Sequence, residues 1–221
     1  MPSIAYAFEA LKRRRAHQKA NRRLQTMALR VNEHAPSSEG VAPVVFFNAS
    51  TRLENTSQNA AFSQLASWGL RLSGTPVVHM VCGAGMTRCV LGTDRDDPSQ
   101  EPPCRRCIAQ SVRTYSGAKS EWCIYKADED FDAALELLSL DEMVAFEYEG
   151  LHLGELVLSS LRWTLRRHHL IDDEDTRSLC RDFLRSAWSI AKKFTAVLDK
   201  YKPQVVVVFN GMFFPEATAR Y

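Results

Sequence analysis

The hydrophobic pattern changes along the chain from a helical repeat to buried strands. Residues 3 to 32 carry apolar side chains at helical spacing near both ends, which predicts one long helix. Residues 44 to 47 form a continuous apolar run, the pattern of a strand that is buried on both faces. A helix over 59 to 72 and a strand over 76 to 81 then complete a βαβ unit. The predicted buried stripe of that helix consists of Phe62, Leu65, Ala66 and Gly69.

The second half of the chain predicts two long helices and a last strand. Leucines and a valine at helical spacing mark the first helix, over 153 to 165. Asp172 or Asp173 caps the second helix, which runs on to a strand over 204 to 209. Pro215 then suits the first turn of another helix. Because the chain ends in that turn, we expect further chain or a partner to complete the sheet.

Between these halves the pattern is weaker. Residues 82 to 119 contain four cysteines among glycines and prolines, and we expect no regular structure there. A short strand over 122 to 125, a helix over 131 to 140 and an extended piece over 143 to 148 follow. The whole predicts an α/β fold: a Rossmann-like three-layer domain with a parallel sheet that is incomplete at the C-terminus. The predicted organisation is a basic amphipathic helix over 1–35 and the domain over 41–221, with a cysteine-rich metal-binding insertion at 82–119.

The cysteine spacing is the most specific chemical signal. Cys82, Cys89, Cys104 and Cys107 follow the pattern Cys-x6-Cys-x14-Cys-x2-Cys, and two thiolates two residues apart can grip one tetrahedral ion. Four thiolates predict a structural Zn²⁺ site with no open coordination position, and an iron–sulfur cluster is the second candidate. The alternative is four unrelated, partly buried cysteines.

Two further cysteines and a histidine lie in apolar segments. Cys123 and Cys180 fit core positions. His79 falls inside a strand, where a hydrogen-bonded core histidine is the favoured interpretation over a residue of the metal site.

Small and amide-bearing residues follow two of the strands. Asn48, Ser50 and Thr51 come after the first strand, and Asn210 with Gly211 closes the last one. Ligands of open α/β sheets bind beyond the carboxyl ends of the strands, so these five residues are candidates for substrate binding. Ordinary turn chemistry is the competing interpretation, because Asn and Gly end strands in many proteins.

The N-terminal helix carries a basic run from Lys12 to Arg23. Such a run can lie on an anionic membrane surface, or it can be the solvated face of a helix packed on the domain. No aromatic residues interleave with it, which argues against binding to single-stranded nucleic acid.

Composition and charge add little. The formal net charge is only +2, so the overall charge does not point to any particular class of partner. There is no apolar run of the length that a transmembrane helix needs, and the first ten residues do not resemble a secretory signal. We therefore expect a cytoplasmic protein, in peripheral contact with the inner face of the membrane if the basic helix binds lipid.

Four segments resemble GT-B glycosyltransferase-like proteins of bacterial surface and capsular polysaccharide biosynthesis. Pro43 to Thr51 and Asn59 to Ala66 look like the opening βα unit of that group. Gly154 to Arg162 and Val205 to Gly211, followed by Pro215 and Glu216, resemble later segments.

The resemblance implies two facing Rossmann-like domains, with the sugar acceptor on the N-terminal domain and the nucleotide-sugar on the C-terminal one. This chain corresponds to the acceptor side, so transferase activity would require a C-terminal donor-binding domain. No catalytic residue can be assigned. The alternative functions are a non-catalytic zinc-stabilised binding or scaffold module and an adaptor that uses the basic helix.

Overall fold

The computed structural model describes residues 4–49, 57–94, 97 and 100–221. It has a parallel four-stranded sheet with helices on both faces, which confirms the expected α/β class and is consistent with a Rossmann-like fold. The strands are β1 Val44–Asn48, β2 Val77–Cys82, β3 Lys119–Cys123 and β4 Val205–Val208. The helices are α1 Ile4–His34, α2 Gln58–Leu72, α3 Cys104–Thr114, α4 Glu129–Leu135, α5 Leu140–Val144, α6 Leu153–Leu165, α7 Glu174–Tyr201 and α8 Phe214–Thr218.

The strand order is β3-β2-β1-β4, with every neighbouring pair parallel. All five residues of β1 are buried, as its apolar run predicts. The last strand has the strongest β pattern in the sequence, yet β4 lies at the edge of the described sheet and is half-exposed. Its valines therefore reflect β propensity more than burial.

The main core fills the face of the sheet that α4 to α8 cover. Val45 and Phe47 of β1 point into it and meet Phe183 and Phe194 of α7 within one cluster of buried side chains. Asp173 caps α7, and its carboxylate accepts a 2.8 Å hydrogen bond from the backbone N–H of Thr176. The predicted long helices and this cap are confirmed.

The opposite face is covered by α1, α2 and α3, and its packing differs from the predicted pattern. Phe62 and Leu65 are exposed, at 63% and 64%, so the predicted buried stripe of α2 is wrong. The helix instead buries its polar side and one tryptophan: Ala60, Ser63, Gln64, Ser67 and Trp68. One residue of this polar face, Ser67, has a partner on the sheet, because its hydroxyl lies 3.1 Å from Nε2 of His79 in β2.

Two expectations for the middle of the chain are wrong. The segment 82–119, expected to be irregular, contains the eleven-residue α3. Its buried positions are the polar Gln110, Ser111 and Thr114, so hydrophobic periodicity could not reveal it. The extended piece expected over 143–148 begins with the last two residues of α5, and its only β contact among the described residues is an isolated bridge between Tyr148 and Leu151.

The N-terminal helix has two different halves. Ala28 and Val31 in the second half are buried against Trp68 of α2. From Tyr6 to Ala20 every residue except His17 is exposed, so this half forms an arm of roughly 22 Å at 1.5 Å per residue. We call residues 6–20 the basic arm. Among the described residues, no helix combines the length and hydrophobicity that crossing a membrane requires.

Candidate functional site

The carboxyl edge of the sheet brings together the ends of β1 and β4, which are neighbours. Asn210 is exposed there, and its side-chain Oδ1 accepts a 3.1 Å hydrogen bond from the backbone N–H of Met212. Gly211 has φ of 72°, a left-handed conformation that glycine adopts without strain. These two residues therefore form an accessible turn at the edge. The candidate residues Ser50 and Thr51 lie outside the described residues.

Asn48 occupies a different environment from Asn210. It is 1% exposed, and its Nδ2 donates to the carbonyl oxygen of Phe46 at 3.3 Å and to Nδ1 of His79 at 3.1 Å. Its amide group is thus committed to the interior. In the described structure, Asn48 is buried below the carboxyl edge of the sheet, whereas the turn at Asn210 and Gly211 lies at the surface of that edge.

His79 is a core residue, as expected. Nδ1 accepts from Asn48, so Nε2 carries the proton and donates to Oγ of Ser67 at 3.1 Å. Burial, together with the positive charge of Arg71, lowers the pKa of His79 to about 3. The neutral ring also packs on Tyr115, with 4.4 Å between the ring centroids. This network ties β1, β2 and α2 together and extends to the residue that follows α3.

All four predicted metal ligands line one small cavity beyond the carboxyl end of β2. The cavity has a volume of about 20 Å³, room for one water-sized particle. Cys82 ends β2, Cys89 lies in the following loop, and Cys104 and Cys107 are one turn apart at the start of α3. The fold therefore gathers side chains that are 25 positions apart at the extremes, which favours a shared site over four unrelated cysteines.

Backbone N–H groups point at two of the sulfurs. The N–H of Gly85 donates to Sγ of Cys82 at 3.5 Å, and the N–H of Gly92 donates to Sγ of Cys89 at 3.2 Å. Each donor lies three residues after its cysteine, so the same type of turn is used twice. Such donors stabilise negative charge on sulfur, as a thiolate ligand requires.

The interior favours the uncharged thiol form at three of the four cysteines. Burial, with a smaller contribution from Cys82, raises the pKa of Cys89 to about 11, and burial also raises the pKa of Cys104. Burial likewise raises the pKa of Cys82. Within the described part of the chain, no three His, Cys, Asp or Glu side chains are positioned to hold a metal ion. The sulfurs surround the cavity without converging on one point, so ligation would require them to move inward and lose their protons.

Cys123 and Cys180 are both buried in the core, as expected. The sequence did not indicate that Cys123 stands opposite Cys82 in the register of β2 and β3. Gly85 packs against the same residue: a Cβ at this position would lie 2.6 Å from the carbonyl oxygen of Cys123. Only a parallel pairing of these two strands, which the weak pattern of β3 did not define, could have revealed this contact.

The loop that follows Cys82 and carries Cys89 is attached to α7 by polar contacts. The hydroxyl of Thr87 donates to the carbonyl oxygen of Asp182 at 2.9 Å, and Nε of Arg88 lies 3.8 Å from the Asp182 carboxylate. We call residues 83–92 the cysteine loop. Its contacts with α7 hold the first half of this loop in place.

Comparisons with protein-family models, with curated proteins and with solved structures each found no match to this chain. A fold of this class hosts many activities, so function has to be argued from the geometry of the site.

Proposed function

We propose that this chain forms the acceptor-side domain of an enzyme that transfers a sugar from a nucleotide-sugar in surface polysaccharide synthesis. One structural relationship supports the proposal: β1 lies between β2 and β4, so the chain leaves β1 toward one side of the sheet and returns on the other. In open parallel sheets the crevice at such a point is where ligands bind. Asn210 and Gly211 follow β4 at this end of the sheet.

The accessible groups suit a polyhydroxylated ligand. The Asn210 amide has both donors and an acceptor, which can pair with sugar hydroxyl groups. In the proposed reaction an acceptor hydroxyl attacks the anomeric carbon of the donor sugar. The new carbon–oxygen bond replaces the bond to the nucleoside diphosphate, which departs with its electron pair, and a general base takes the proton of the attacking hydroxyl. A second domain would bind that leaving group.

The test is ligand-observed NMR of the purified chain with a panel of free mono- and disaccharides. We expect a saturation-transfer signal that falls in Asn210→Ala. The matched control is Gln204→Ala, which removes an exposed amide next to the amino end of the same strand, where Nε2 donates to the carbonyl oxygen of Ala42 at 2.6 Å. The proposal fails if no sugar gives a signal, or if both variants reduce it equally.

The basic arm supports a second role, contact with an anionic membrane surface. Its described side chains project from the domain, and Lys12 forms only a long 4.0 Å ion pair with Glu9, with both groups exposed. Tyr6 and Phe8, 65% and 67% exposed, lie at its tip. Each Lys or Arg near an anionic bilayer contributes about 1 kcal/mol, so five cations on the arm are sufficient for peripheral binding. They are Lys12, Arg13, Arg14, Arg15 and Lys19.

Vesicle sedimentation tests this role. The chain should bind vesicles that contain phosphatidylserine, and binding should weaken with salt because the attraction is electrostatic. Arg13→Gln, Arg14→Gln and Arg15→Gln together should abolish it. The control removes three exposed cations elsewhere, with Arg30→Gln, Arg113→Gln and Lys126→Gln. Equal binding to neutral phosphatidylcholine vesicles would contradict the role.

For the cysteine cavity we propose a structural Zn²⁺ held by Cys82, Cys89, Cys104 and Cys107. The support is the common cavity, its ion-sized volume and the two N–H groups directed at sulfur. A metal bound there would join the cysteine loop to the start of α3, and all four ligands would come from protein. It would stabilise the fold and take no part in sugar transfer.

A further inference from the structure

A cavity lies between helices α5 and α6 and the segment that connects α6 to α7. Its volume is about 380 Å³, within the range of small-molecule sites. Side chains of α5, of α6 and of residues 168–172 line it. None of these residues belongs to the cysteine cavity or to the turn at Asn210 and Gly211. Three separate segments thus build a space that no other site of this protein uses.

Arg162 of α6 is a cation in the wall of this cavity without an anionic partner. The side chain is half-buried, and its Nε is buried with no hydrogen-bond partner. The two terminal nitrogens remain accessible, and they form no hydrogen bond or ion pair with any residue that the structure describes. A guanidinium that has lost part of its hydration is stabilised by an anion at its open donors.

The charge of the wall favours a ligand with a single negative charge. Asp172 is already paired with Arg177 of α7, with 2.7 Å between Oδ1 and Nη1. The formal charges that remain, those of Arg162 and the exposed Asp141, cancel. A phosphate group carries about −1.5 to −2 and would meet one unpaired cation beside a carboxylate. A carboxylate carries one charge, and the fork of one guanidinium can bind both of its oxygens.

Much of the remaining lining is aliphatic. Leu140 of α5 is 4% exposed, and Val144, Leu158 and Leu170 are half-buried in the same wall. Pockets for small molecules combine such apolar walls with a few polar groups that fix the orientation of the ligand. The wall therefore suits a carboxylate that carries a hydrocarbon body.

Two histidines add hydrogen-bonding groups to the lining. His168 and His169 are exposed, and their ring centroids lie 4.9 Å apart. Neither ring forms a hydrogen bond within the described part of the chain. Because a neutral imidazole keeps one N–H donor, either ring can donate to a carboxylate oxygen.

We propose that this cavity binds a small aliphatic monocarboxylate. The guanidinium of Arg162 holds the carboxylate, a histidine N–H donates to one of its oxygens, and the aliphatic side chains cover the hydrocarbon. The site shares no residue with those assigned to sugar, metal or membrane binding, so it stands or falls independently of those proposals.

An NMR titration of the purified chain with isocaproate tests the proposal. We expect saturable binding. The uncharged amide of the same shape, isocaproamide, should bind at least about tenfold more weakly, because it lacks the charge that pairs with the guanidinium. An excess of inorganic phosphate should not displace isocaproate. No saturable binding of isocaproate, equal affinity for the acid and the amide, or displacement by phosphate would overturn the proposal.

Arg162→Gln identifies the cation. It should weaken isocaproate binding at least about tenfold, because the charge-assisted hydrogen bonds are lost. The matched control is Arg30→Gln, which removes an exposed arginine of α1 and should leave the affinity unchanged. Thermal unfolding of both variants checks that the domain stays folded. Equal losses of affinity in the two variants would contradict the assignment.

Asp141→Asn provides a test of opposite sign. It removes an exposed carboxylate from the cavity wall and should tighten isocaproate binding several-fold, because a like charge near the ligand is lost. The test does not depend on the stability of the Arg162 variant. An Asp141→Asn variant that binds isocaproate more weakly than the natural chain would overturn the proposal.

Discussion

The backbone N–H of Thr87 donates a 3.0 Å hydrogen bond to Oγ of Ser186, 99 positions later in the chain. The hydroxyl of Ser186 in turn donates to the carbonyl oxygen of Asp182, one helical turn earlier in α7. The cysteine cavity depends on this attachment, because it holds the loop that presents Cys89 to the cavity.

Thr87→Val should loosen the cysteine loop. The change keeps the shape of the side chain but removes the hydroxyl that donates to Asp182, at a cost of about 1 kcal/mol in the free energy of unfolding. Hydrogen exchange of residues 83–92 should quicken more than that of β1. Thr26→Val is the control, because Thr26 donates only to a carbonyl within α1. If residues 83–92 exchanged hydrogen at the same rate in both variants, Thr87 would not be attaching the loop to α7.

Zinc content tests the cysteine cavity. Elemental analysis should find about one zinc per chain, and Cys104→Ser with Cys107→Ser should remove it. Cys180→Ala should keep its zinc, since Cys180 is buried in the core. Removal of zinc by a chelator should lower the free energy of unfolding. Iron in place of zinc would identify a cluster, and a double variant with full metal content would exclude the site.

Gly85→Ala should destabilise the protein by about 1–3 kcal/mol, the usual cost of overpacking. Its new methyl group would lie 2.6 Å from the backbone carbonyl oxygen and 2.7 Å from the sulfur of Cys123. Gly69→Ala, an exposed helix position with nothing within 4 Å, should instead stabilise by about 0.5–1 kcal/mol. Urea unfolding measures both, and a neutral Gly85→Ala would show that the loop does not pack as described.

His79 should make the fold sensitive to acid. Its pKa is about 3 in the folded chain because of burial, whereas an unfolded histidine titrates near 6.5. The unfolded chain therefore binds the proton first, and this stability is present above about pH 6.5 and lost as pH falls toward 3. At pH 5 the loss is about 2 kcal/mol.

Urea unfolding at about pH 7 and about pH 5 measures this loss. His79→Gln keeps a donor and an acceptor for Asn48 and Ser67 but cannot titrate, so its stability should change less between the two conditions. An equal change in both proteins would show that His79 is not the responsible group.

The apolar patterns of the sequence determined the architecture. Val44 to Phe47 predicted a buried central strand, and the spacing along α7 predicted its core face, because both elements bury apolar side chains. Cysteine spacing predicted a shared site, and the structure gathers those four side chains around one cavity. The metal itself stays a prediction.

Only the tertiary structure decided the layer formed by α1, α2 and α3. Several of its buried positions are polar: Ser67 meets His79, and Nε2 of Gln110 donates to Oδ1 of Asn21 at 3.1 Å. Partners from elsewhere in the chain favour the burial of such side chains, and no local pattern records those partners. For the same reason the sequence missed α3, whose buried positions are Gln110, Ser111 and Thr114.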